Sequence, residues 1–128
     1  MIYLDSSVAL AHLLAEDRSP PESIWSDQLV ASRLLEYEVW NRIHARRLAR
    51  SHGEAARELI ARLALVELVP VVLARVLEPF PVAVRTLDAM HLASIEFLRA
   101  RGQIVELASF DERQVAAARA LSIPILGL

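Results

Sequence analysis

Ile2-Tyr3-Leu4-Asp5-Ser6-Ser7-Val8 is the stretch that decides the fold. Three consecutive apolar residues suit a short, fully buried strand, and the acid and two serines that end it suit the start of a helix. Ser6 or Ser7 is the expected N-cap of a helix over residues 8–16. The same switch recurs downstream. Residues 28–31 read as a second strand, and Ser32 caps a long helix from Arg33 to about Arg50 that Ser51-His52-Gly53 stops. Residues 54–66 read as a further helix, and 68–72 as a strand with Pro70 in its middle. Pro79-Phe80-Pro81 breaks the chain before Thr86 caps a helix that runs to Arg101 and ends at Gly102. Residues 104–108 and 123–126 are the remaining strands, with a helix over 111–121 between them. Ser19-Pro20-Pro21-Glu22 punctuates the first crossover and opens a short helix through Trp25. Short apolar strands alternating with helices imply an α/β fold with a parallel sheet covered on both faces. With 128 residues and no repeat or linker, one domain over residues 1–128 is expected.

Composition narrows the chemistry. No cysteine is present, which removes disulfides, thiolate nucleophiles and zinc–thiolate sites. No apolar run reaches the ~18 residues of a membrane span. The first residues carry an acid where a secretory signal carries basic residues, so a cytoplasmic location is expected. The net charge of −2 argues against a broadly basic coat. All 14 basic residues are arginine, a bias that fits a GC-rich genome as readily as phosphate binding. The apolar fraction of 55% leaves room for both a core and a partner surface. With glycine only at 53, 102 and 127, neither a P-loop nor a dinucleotide turn can be written. The absence of lysine counts against phospho-acceptor α/β domains, which pair their aspartate with one.

Open parallel sheets bind ligands at the carboxyl ends of their strands. Asp5 follows the first strand, Asp111 follows the fourth, and Asp88 lies in the first turn of the helix opened by Thr86. Glu38 lies in the second turn of the helix after the second strand. Gathered at one sheet edge, these carboxylates would repel each other unless a cation neutralised them. Oxygen ligands without cysteine suit Mg²⁺ or Mn²⁺. Each acid also has a plainer role: Asp5 or Asp111 as an N-cap, Asp88 as a partner of the helix dipole, Glu38 as an i, i+4 partner of Arg42. Helical phase does not separate Glu38 from Glu36.

Four strings in order decide among these roles: Tyr3-Leu4-Asp5-Ser6-Ser7-Val8, residues 32–38 ending in Glu36-Tyr37-Glu38, Arg85-Thr86-Leu87-Asp88-Ala89-Met90-His91-Leu92-Ala93, and residues 108–113 around Asp111. Together they resemble PIN-domain nucleases, specifically the VapC-type toxins of bacterial and archaeal toxin–antitoxin pairs, over essentially the whole chain. The resemblance implies a PIN-like α/β/α sandwich with a parallel sheet of about five strands. It implies Mg²⁺ or Mn²⁺ among Asp5, Glu38, Asp88 and Asp111, with Glu38 chosen over Glu36 because it lies six residues after Ser32. Ser6 and Ser109 match small hydroxyl positions beside the site. Ser109 stands where threonine is commoner, and the first crossover is shorter than usual. The implied activity is endonucleolytic hydrolysis of RNA, in a homodimer held in check by a VapB-type antitoxin. The rival is a PIN-like module that binds protein or RNA partners without cutting.

Other residues have two readings. His91, three after Asp88, is either a packed helix residue or a neighbour of the metal, and packing is favoured. His12 is read as packed within the first helix. Arg42, Arg46 and Arg50 form the densest basic stretch, either a solvated face or an RNA-phosphate track. Tyr37 and Trp40 are core, dimer or base-stacking residues.

Overall fold

The structure, a computed structural model, describes residues 1–128. Four strands form one parallel sheet: β1 (Ile2–Leu4), β2 (Leu29–Ser32), β3 (Ala64–Val66) and β4 (Glu106–Ala108), in the order β3-β2-β1-β4. Tyr3 pairs with Val30 on one side and Leu107 on the other, so β1 is central and fully buried. Six helices cover the sheet: α1 (Ser6–Leu13), α2 (Leu34–Ala45), α3 (Ala49–Ala61), α4 (Pro70–Val76), α5 (Thr86–Ala100) and α6 (Glu112–Ala120). A 3₁₀ turn over Glu22–Ser26 lies in the first crossover.

Strand alternation splits the core in two. Leu4, Leu29 and Ala31 face Leu35, Val39 and Ile43 of α2 and the buried faces of α1 and α3. Tyr3, Val30 and Leu107 face Leu92 and Ile95 of α5 and Ala117 and Ala118 of α6. This is the α/β/α sandwich expected. The fifth strand, expected over 123–126, is reduced to a single parallel bridge between Leu107 and Ile125.

The long helix expected from Arg33 to Arg50 is instead two. α2 closes at Arg46, where Leu48 N–H donates to Ile43 O at 2.9 Å and Arg47 takes φ +55°. That left-handed closure is the usual work of glycine. Gly53, expected to stop the helix, lies inside α3, where an added Cβ would meet the Trp40 ring at 3.4 Å. The strand expected over 68–72 is also displaced. β3 lies earlier, at Ala64–Val66, and Pro70 opens α4, a position where its missing N–H costs nothing. No helix is long and apolar enough to cross a membrane.

Candidate active site

The sheet changes direction at β1, which is followed in sequence by β2 on one side and paired with the late strand β4 on the other. A crevice opens at the carboxyl ends of such strands. Asp5 sits in it: its N–H donates to Ala108 O at 3.0 Å, and the residue is 5% exposed. Its Oδ2 accepts from Ser7 N at 3.2 Å, Ser7 Oγ at 2.5 Å and Ser109 Oγ at 3.0 Å. Asp5 is therefore the N-cap of α1, a role expected of Ser6 or Ser7, because its carboxylate reaches the N–H two residues on.

Ser7 and Ser109 also accept from the backbone N–H groups of Phe110 and Asp111, each at 3.0 Å. The two serines thus join the loop after β1 to the loop after β4. Ser6 lines the cleft without bonding Asp5. Ser7 is the hydroxyl that sequence reading missed, although its Asx spacing to Asp5 was a usable signal.

Asp111 caps α6, its Oδ1 accepting from Arg113 N at 2.9 Å and Gln114 N at 3.4 Å. Asp88 is half-buried in the first turn of α5, and no protein group donates to its carboxylate. Burial, followed by the nearby charges of Asp111 and Asp5, pushes its pKa above the ordinary aspartate range. Thr86, expected to cap α5, is its first residue, and Arg85 precedes it without a side-chain cap.

Glu38 reaches the cleft from α2. The i, i+4 pair with Arg42 does not form; instead Glu38 Oε1 accepts from His91 Nε2 at 2.6 Å. His91 is 1% exposed, and its Nδ1 meets the Tyr3 hydroxyl at 2.7 Å. Burial disfavours the imidazolium, but the Glu38 bond and surrounding acids outweigh it and raise the His91 pKa. Glu36, the alternative in sequence, is turned to Arg33 at 3.5 Å, and Arg33 also forks onto Glu67.

One cleft of about 930 Å³ is lined by all four acids. Arg42 of α2 and Arg46, which caps its C-terminus, line it too, while Arg50 lies on α3 and does not. Arg18 and Arg85, not singled out in sequence, complete the basic lining, and Arg18 stacks over the Phe110 ring at 4.5 Å. No local pattern distinguished Arg18, whereas Arg85 stands at a helix entrance beside Asp88. Tyr37 is 65% exposed and outside both core and cleft. Trp40 packs on the core. His12 is exposed and lies against Trp25, with ring centroids 4.5 Å apart and the planes tilted by 49°, where burial was expected.

The donor chemistry fits a hard divalent cation: carboxylate oxygens, mutually repelling, at the end of a buried strand. Asp5 Oδ1, Asp111 Oδ2, Glu38 Oε2 and the Asp88 carboxylate have no protein donor. No three of these groups are close enough to enclose a cation as they lie.

No curated protein matches the chain. The PIN domain family matches residues 2–120, a span that contains all four acids and every element through α6. The chain belongs to the PIN domain family, whose members are generally nuclease modules that use divalent metal ions.

Proposed function

We propose that this chain is a metal-dependent endoribonuclease that acts as the VapC-type toxin of a toxin–antitoxin pair. The observation that carries the reading is the meeting of four unpaired-oxygen carboxylates and four arginines in one cleft at the sheet's switch point. Asp5, Glu38, Asp88 and Asp111 would hold Mg²⁺ or Mn²⁺, which supplies a water of lowered pKa and charge stabilisation at a phosphodiester.

The protein's own contribution is positional. Ser7 and Ser109 hold Asp5 through its Oδ2 and leave Oδ1 without a protein donor. Arg42 and Arg46 take phosphate oxygens of the RNA strand on the α2 side, and Arg85 does so at the start of α5. These contacts orient the backbone without reading bases. The toxin role is supported by the order and spacing of the four strings. A protein partner and a second copy are supported by exposed Val71, Leu73, Leu77 and Val82 on α4 and the loop after it.

The test is cleavage of a structured RNA panel by the purified protein with Mn²⁺, beside EDTA and the Asp5→Asn variant. Cutting that requires both metal and Asp5, with the variant folded by circular dichroism, is the expected result. Mn²⁺ binding without cutting of any RNA would favour the non-catalytic binding module instead.

A further inference from the structure

We propose that His91 is the positioning residue of Glu38, holding one carboxylate oxygen so that the other is presented to the cation, with Tyr3 fixing the imidazole for that task. The inference rests on the metal-binding reading of the cleft and concerns residues that reading leaves unexplained.

Tyr3 is fully buried at the centre of β1. A buried phenol needs a partner for its O–H. Its oxygen already accepts from Ser32 N at 3.1 Å, so its hydrogen is directed to His91 Nδ1 at 2.7 Å. With Nδ1 used as an acceptor, the neutral ring carries its hydrogen on Nε2, the atom 2.6 Å from Glu38 Oε1. Nε2 also bears a hydrogen in the imidazolium, so the hold on Glu38 does not depend on the protonation state of His91.

The arrangement has a geometric purpose. Glu38 is on α2, against one face of the sheet, and His91 is on α5, against the other. A glutamate has three rotatable bonds and is the longest of the four acids, so it loses the most freedom on ligating. Fixing Oε1 removes that freedom before the cation arrives and leaves Oε2 without a protein partner. His91 is also three residues after Asp88 on α5, so one helix turn sets the positions of two of the acids.

The experiment measures Mn²⁺ affinity by calorimetry, with thermal melting of the metal-free proteins alongside. His91→Leu is expected to weaken Mn²⁺ binding about 10-fold or more. His91→Gln, whose amide can donate to Glu38, is expected to recover most of that loss. Tyr3→Phe should fall between, because the ring is then free to place its hydrogen on Nδ1. In a Glu38→Gln background, His91→Leu should cost nothing further. Unchanged affinity in folded His91→Leu overturns the inference, as does an equal loss in the Glu38→Gln background. If His91→Leu does not fold, an unchanged affinity in folded Tyr3→Phe overturns it. Absence of Mn²⁺ binding by the wild-type protein overturns the nuclease reading itself.

Discussion

At Asp88 two electrostatic effects oppose each other. Its place in the first turn of α5 favours negative charge through the helix dipole. Burial and the neighbouring Asp111 and Asp5 disfavour it and push its pKa upward. Asp88→Asn should therefore raise the melting temperature of the metal-free protein by about 2 °C, on a scale where 1 kcal/mol is worth roughly 4 °C. It should also remove the upward shift that Mn²⁺ gives the wild type. A lower melting temperature would mean that Asp88 serves the helix rather than the cleft. The four acids were legible at this scale because each sits in a distinctive local string. Helical phase did not separate Glu36 from Glu38; the spacing from Ser32 favoured Glu38, which lines the cleft, while Glu36 is turned to Arg33. Ser7 was passed over for Ser6 for a similar reason: adjacent serines differ in direction, not in kind.

The elements were legible wherever ordinary punctuation marks them. Gly102, at φ +84°, closes α5 as its sequence suggests. The same closure, an N–H donating back to the carbonyl five residues earlier, ends α1 at Ala15, α2 at Arg47 and α6 at Ser122, each with positive φ and none with glycine. This is why the break between α2 and α3 could not be read: the left-handed residue is an arginine. Such a residue costs ~1 kcal/mol in that conformation. Arg47→Gly should therefore stabilise the protein by about 0.5–1 kcal/mol in chemical denaturation. A loss of stability would show that the Arg47 side chain contributes more than its backbone costs. Pro70 misled in the opposite way, since proline inside an apolar run marks a helix start as well as a strand edge.

Across the whole molecule, charge placement matters more than the total of −2. Arg42 and Arg46 line the acidic cleft and Arg50 does not, although all three belong to one basic stretch of sequence. If RNA lies in the cleft, Arg42→Ala and Arg46→Ala should each lower the slope of log affinity against log salt by about 0.7. Arg50→Ala should leave the slope unchanged. Equal effects at all three would indicate a diffuse field and no track. The sandwich and the places of Asp5 and Asp111 after strands were readable from strand–helix alternation, whereas Glu38 and Asp88 enter from helices and were singled out by their strings. The paths of the long arginines were not, since they depend on helix directions that no local pattern encodes.

The central position of β1, with β2 on one side and β4 on the other, makes the molecule divisible. A cut in the exposed stretch between α4 and α5 would leave Asp5 and Glu38 on one piece and Asp88 and Asp111 on the other. The pieces would meet along the β1–β4 ladder and the packing of α4 on α5. Neither piece should cut RNA alone, and mixing them should restore cutting. Tethering each to one of two proteins would then turn their encounter into RNA cleavage, with the ladder's register acting as the latch.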